Sequence, residues 1–345
     1  MSTFKQKLTI AILLAILIAA GISGYYLMNQ KRSQAAKYTG SVEKIIFGVE
    51  TSMLTSMVWV AENKGYFQEQ GLDVQIKEFG SGRTALRTML EQGGLDMVTV
   101  AQTPVMFNSF NRSDYGIIAG TATSNNDVKI LARQDKGISR PEDLKGKKIG
   151  TTKGSTGHFF LGLFLTKNRL ESSDVEIVDF EASELPQALA DKKVDAISTW
   201  EPHIANARKL LSKKAILFEH PDILREDFYF VPKRDFIKSH PGALKRFLKA
   251  IDKADAFIKN NKNEAIKIVS ERLKANEEKI ALLWKFFNFG LFLDQAILIT
   301  LEDEARWAIK EGLVDKKEVP SYLDYFYFDA LEAVRPEAIT MTHYR

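Results

Sequence analysis

Residues 73–92, DVQIKEFGSGRTALRTMLEQ, and residues 147–169, KKIGTTKGSTGHFFLGLFLTKNR, share one grammar: a β-like run ends in a Gly/Ser/Thr-rich turn, and a helical pattern starts at once. A helix begun this way leaves its first backbone N–H groups without carbonyl partners, and the aligned peptide dipoles add to their positive potential. Each start is a natural seat for an anionic ligand. Two such half-sites in one chain imply a cleft between two lobes.

The alternation continues on both sides of these stretches. Residues 44–49 (KIIFGV) predict a strand, 57–67 a helix with Gly65 as its stop, and 74–79 and 97–100 two more strands. Gln102-Thr103-Pro104 starts another helix, followed by strands over 117–122 and 129–133. A second unit opens at Asp135-Lys136-Gly137. It repeats the pattern with strand 148–152, a helix from Ser155, strand 176–180, helix 185–191 and strand 195–199, ending in Trp200-Glu201-Pro202. Strand and helix in alternation imply parallel sheet with crossover helices, and ligands on such sheets bind at the carboxyl ends of strands. Residues 228–232 (FYFVP) bring the chain back to the first lobe. From 241 to 313 the pattern reads as mostly helical, with Leu244, Phe247, Leu248, Ile251 and Ala254 on one packing face. The implied organisation is a leader over 1–32, a linker over 33–41, a first lobe over 42–133, a second lobe over 134–230, and a return with C-terminal helices over 231–345. Crossings near 133 and 230 would form a hinge.

A chain of 345 residues with 45% hydrophobic side chains can bury a large core. Lys5, Lys7, Lys31 and Arg32 lie in a leader without acidic residues and account for the formal +4, so the remainder is neutral and a nucleic-acid partner is not expected. Residues 8–28 carry no charge behind that basic start and read as an export signal. Their length falls between a secretory apolar core and a membrane helix of roughly 20 residues. An uncleaved membrane anchor is the preferred expectation, with cleavage at Ser33-Gln34-Ala35 as the alternative; either places the protein in the periplasm or otherwise outside the cytoplasm. The chain has no cysteine, which removes disulfides, thiolate metal sites and a cysteine nucleophile. Its five histidines, at 158, 203, 220, 240 and 343, show no ligand spacing, so neither a metal nor a cofactor is expected.

In Thr152-Lys153-Gly154-Ser155-Thr156-Gly157-His158, Ser155 suits an N-cap, Gly154 and Gly157 let backbone approach a guest, and the Ser155 and Thr156 hydroxyls can donate. The GxxxxGK[ST] spacing of a nucleotide loop is missing. Capping alone would account for Ser155; the paired turn in the other lobe favours ligand contact. Gly80-Ser81-Gly82-Arg83 is the weaker counterpart, either a structural turn or a cradle. Trp200 follows a strand end, where its indole would wall a cleft or pack in the core. Glu201 could accept from a ligand, but capping the helix that Pro202 begins is its preferred role.

The ordered series ENKGYF (62–67), GLDV (71–74), GLDM (94–97), Thr103-Pro104, DLKGKKIG (143–150), TKGSTGH (152–158), KVDA (193–196) and WEP (200–202) resembles the periplasmic substrate-binding proteins of ABC importers for nitrate, sulfonates and taurine. The resemblance covers roughly residues 43–260. It implies an α/β fold of the two-lobed class II binding-protein kind, with an interlobe ligand cleft and two hinge crossings. It also implies contacts from Glu50, Thr51 and Ser52 after the first strand, from Ser81 and Gly82, from Gln102, from Lys153, Gly154, Ser155 and Thr156, and from Trp200 and Glu201. Glu50 departs from a simple anion site, because a carboxylate in the pocket repels a sulfonate unless a cation accompanies it. The expected function is a monomeric, non-catalytic receptor that closes on a small sulfonate, nitrate-like anion or zwitterion and docks on a membrane permease. Enzymes that make the thiamine pyrimidine precursor resemble the same superfamily and are the rival reading, and a ligand-sensing protein of a signalling system is a third.

Overall fold

The computed structural model describes residues 38–342, and those from 42 onward form one unit. The apolar leader segment 8–28 lies outside the described residues; among the described residues, no helix is long and apolar enough to cross a membrane.

The chain lays down β1 (Glu43–Glu50), β2 (Leu72–Phe79), β3 (Met97–Ala101) and β4 (Ala119–Ser124). It then crosses to β5 (Lys129–Arg133), β6 (Lys148–Thr151), β7 (Glu176–Asp179), β8 (Ala196–Thr199) and β9 (Ala215–Phe218), and returns as β10 (Glu226–Pro232) and β11 (Phe287–Phe292). Two sheets result, with strand orders β11-β4-β10-β3-β1-β2 and β7-β6-β8-β5-β9. In the first, β1 runs parallel to β2 and β3, and the returning β10 runs antiparallel between β3 and β4. In the second, β6 runs parallel to β7 and β8 while β5 is antiparallel to β8 and β9. This is the expected two-lobed α/β arrangement.

Two expectations shift. Lys129–Arg133 pairs within the second sheet, so the chain changes sheets at 125–128 rather than near 133, and it returns over 219–225. The stretch read as mostly helical contains β11, whose Phe287 and Phe289 rings stack 6.3 Å apart with planes 7° from parallel. Aromatic residues at i and i+2 on one face are a strand's pattern. Gly290 and the short length hide it among helices.

The repeated sequence grammar has a structural cause visible in both lobes. Asp96, just before β3, accepts from the Ile46 N–H of β1 at 2.7 Å, and Asp195, just before β8, accepts from the Lys148 N–H of β6 at 3.0 Å. Each aspartate locks the start of one strand to its neighbour. The glycine turns likewise press a helix onto the adjacent strand. A Cβ on Gly82 would stand 2.8 Å from Val100 Cα, and one on Gly157 would stand 2.9 Å from the Ser198 carbonyl oxygen. These two glycines therefore make room for the protein's own backbone, whereas Gly157 reads on sequence as room for a guest.

The first core gathers on Phe247, which lies on the predicted packing face of the helix Pro241–Asn260. Its ring meets Phe47 edge-on at 5.3 Å, Phe230 edge-on at 5.1 Å and Phe67 in a stack at 5.3 Å. Strands β1 and β10 are thereby fixed beneath one helix. At the cleft β1 ends and β10 begins.

Candidate functional site

A narrow pocket lies between the sheets at the carboxyl ends of β1, β3 and β8 and the start of β10. It is lined by Glu50, Ser81, Gly82, Arg83, Ala101 and Pro104 from the first lobe, Ser155, Thr156 and Trp200 from the second, and Glu226 from the returning strand. The cavity volume is about 10 Å3, the space of roughly one water. The lobes are thus closed upon one another.

Glu50 ends β1 with its amide donating to Thr99 Oγ1 at 3.0 Å, and its side chain turns inward to 4% exposure. Its Oε2 accepts from the Gly82 N–H at 2.6 Å. The first amide of the helix Gly82–Arg87, an anion seat on sequence, is therefore filled by the chain's own carboxyl. Burial pushes the Glu50 pKa up to about 8, the Gly82 N–H works against the rise, and Asp127 and the Trp200 indole act from nearby with opposite signs. Glu226 is also 4% exposed, and its Oε2 has no hydrogen-bond partner. Burial drives its pKa well above the ordinary range, and the neighbouring acids Asp127 and Glu50 push it further; the Thr156 hydroxyl opposes them.

The surrounding charge is arranged around the two crossings. Asp127, on the outgoing crossing, accepts from the Glu201 N–H at 3.4 Å. Buried Lys129 donates to the carbonyls of Asn126 and Asp127 and lies 3.7 Å from Glu201. Asp227, next to Glu226, pairs with Arg225 at 2.8 Å. Lys129 and Arg225 therefore answer Glu201 and Asp227, while Glu50 and Glu226 face each other's charge.

Of the residues singled out on sequence, Glu50, Ser81, Gly82, Ser155, Thr156 and Trp200 come together in the pocket. Ser81 caps its helix by accepting from the Thr84 N–H at 3.2 Å, and the Ser155 hydroxyl donates to the Thr152 carbonyl at 2.6 Å. The others stand outside the lining. Thr51 Oγ1 donates to Glu78 at 3.3 Å, and the Ser52 carbonyl accepts from Thr55. Gln102 is fully buried and ties down the return crossing, donating to the Arg225 carbonyl at 3.1 Å and accepting from the Asp227 N–H at 2.8 Å. Glu201 Oε2 accepts from the Ala205 N–H at 3.0 Å, at the start of the helix His203–Leu211. Lys153 and Gly154 line an outer groove of 270 Å3 with Arg83, Arg87 and Phe107. His158 faces away from the pocket. Its Nδ1 accepts from the Gly154 N–H at 3.4 Å, its ring meets Trp307, and burial lowers its pKa to about 4.

Three positions that shape the cleft and its surroundings escape the sequence reading. Asp127 sits in an unremarkable polar loop, and Glu226 opens a strand whose apolar part alone was recognised. Trp307, on the helix Gln295–Lys310, packs against the cores of both lobes. It meets Phe159 at 5.0 Å and Phe107 at 6.1 Å, and a Cβ on Gly162 would stand 2.8 Å from its Nε1. Further contacts cross the cleft, from Arg83 Nη1 to Glu181 at 3.7 Å and from Thr84 Oγ1 to Glu181 at 3.4 Å.

The taurine-binding periplasmic protein of Escherichia coli is 26% identical over 216 residues, covering 61% of this chain and 65% of that protein. A Bacillus subtilis protein named as a candidate for binding aliphatic sulfonates is 28% identical over 283 residues, covering 80% and 84%. Among solved structures, the alkanesulfonate-binding protein SsuA of Xanthomonas axonopodis pv. citri, bound to MOPS, superposes with a TM-score of 0.72 at 17% identity, over 84% of this chain and all of that one. The fold is that of periplasmic binding proteins. The family model described as NMT1/THI5 like matches residues 55–265, and the chain belongs to that family.

Proposed function

We propose that this protein is the extracytoplasmic substrate-binding component of an ABC importer, which encloses a small polar ligand by hinge closure and delivers it to a membrane permease. The observation that carries the reading is the composition of the pocket. Its walls come from both lobes, one of them the start of the strand that follows the return crossing. A ligand held there touches both halves at once and so favours the closed state, which a ligand touching one half cannot do. With space for about one water in the closed state, entry and release need the lobes to part about the crossings at 125–128 and 219–225.

The test is a panel of sulfonates, nitrate, amino acids, amines and thiamine-precursor pyrimidines, read by the ligand-induced rise in Tm and by small-angle scattering. A saturable rise with contraction of the particle is the expected result. Product formation without a saturating shift would instead favour an enzyme. Thr156→Val keeps the side-chain shape and removes a pocket hydroxyl. It should weaken binding of whichever compound saturates by roughly fivefold while leaving Tm nearly unchanged, because one hydrogen bond contributes about 1 kcal/mol. Unchanged affinity, measured by calorimetry, would remove that hydroxyl from the site.

A further inference from the structure

Resting on the receptor reading, we infer that the cleft selects a ligand with a positively charged N–H-donating head, an ammonium or amidinium, seated between the carboxyls of Glu50 and Glu226. Four observations lead there. Both side chains are 4% exposed and line the same cavity, Glu50 from the end of β1 and Glu226 from the start of β10 at the same edge of the first sheet. Glu226 Oε2 is a buried acceptor without a partner, and such an atom is costly to leave unmade. The charged groups that act on Glu226 most strongly are themselves acidic: Asp127, Glu50 and Asp227. Finally, the helix-start amide that could have held an anion beside them, Gly82 N–H, already donates to Glu50. An anionic head here would meet two carboxyls and a filled donor, and the guanidinium that also lines the pocket, Arg83, already pairs with Glu181 at 3.7 Å. A cation supplies the missing charge and the missing donors together.

Binding also carries a proton signature. Glu50 faces the Gly82 N–H, Trp200 and Asp127; Glu226 faces Thr156, Asp127, Asp227 and Glu50; of the cations nearby, Lys129 is engaged by Glu201 and Asp127, Arg225 by Asp227 and Asp294, and the pocket-lining Arg83 by Glu181. With both pocket carboxyls holding protons more tightly than usual, a cation must displace a proton to bind. Affinity should then tighten by up to about tenfold per pH unit between pH 6 and 8.

The experiment compares n-butylamine and benzamidine with ethanesulfonate and nitrate on the full chain, by thermal shift and calorimetry at pH 6, 7 and 8. Saturable stabilisation by a cation, stronger at pH 8 and weakened at least tenfold in both E226Q and E50Q, is the expected result. Each variant is first checked for a cooperative melt, and either one alone suffices if the other does not fold. Stabilisation by ethanesulfonate or nitrate with silence from both cations overturns the inference and leaves the receptor reading standing. Silence from all four overturns the inference, and the receptor reading then falls only if the wider panel is silent too.

Discussion

Glu50→Gln should make the ligand-free protein more stable, and the gain should widen as pH rises. The wild-type side chain has a folded-state pKa of about 8 against 4.5 for the free group, chiefly because burial penalises its charge. Below pH 4.5 the carboxyl is protonated in both states and contributes no difference. Between pH 4.5 and 8 the unfolded chain releases the proton while the folded chain keeps it, so the folded state loses stability with each step upward. At 1.36 kcal/mol per unit, the penalty approaches about 3–5 kcal/mol near pH 8. Gln removes the titration and can still accept from the Gly82 N–H. It also relieves Glu226, which feels the Glu50 charge. Urea unfolding at pH 5 and pH 8 checks this: the variant and wild-type curves should lie close at pH 5 and separate by several kcal/mol at pH 8. Parallel curves at both pH values would show that the carboxyl is not held protonated by its surroundings. A side chain that weakens the empty protein in this way is what a pre-arranged site for a cation requires, since the charge becomes favourable only when its partner arrives.

The cleft was legible in the sequence to the extent that local grammar encodes it. Strand, turn and helix around Ser81-Gly82 and Ser155-Thr156 are short-range features, and the aspartates at 96 and 195 recur because each lobe needs the same strand lock. What stayed hidden is what topology assembles. Glu50 was visible as a charge out of place, but its partners Asp127 and Glu226 are brought to it only by the two crossings, far apart in sequence. Glu226 precedes the run Phe228–Pro232 that betrayed the strand, and an acid at a strand's edge ordinarily reads as solvated. On sequence the strand Lys129–Arg133 reads as part of the first lobe for a related reason. Its apolar pattern fits either lobe, and only its pairing with β8 and β9 decides. The anion seat read at Ser81-Gly82 is occupied through one hydrogen bond, Gly82 N–H to Glu50, because a helix N-terminus accepts the chain's own carboxylate as readily as a ligand's.

Trp307→Ala should weaken ligand binding by roughly 5–150-fold without altering any pocket residue, because two edge-on ring contacts of about 0.5–1.5 kcal/mol each support the closed state. The indole meets His158 at 5.3 Å with planes at 76° and Phe159 at 5.0 Å with planes at 67°, both on the helix Thr156–Lys167 of the second lobe. Its own helix carries Leu301, Ala305 and Ala308 in the first core. Opening the cleft must separate these surfaces. If closure loses 1–3 kcal/mol, the fraction of competent protein falls and the apparent Kd rises by the same factor. Trp307→Phe keeps an aromatic edge and should recover part of the loss, which a purely destabilising change would not predict. Calorimetry with the compound that saturates in the panel, beside scattering of the same samples, separates the two causes. An apparent Kd within twofold of wild type would mean that this contact contributes nothing to closure. A weakened Kd that Phe partly restores would make Trp307 a latch on the helix Thr156–Lys167, whose first residue lines the pocket, so that ligand and latch pull the same helix toward the first lobe.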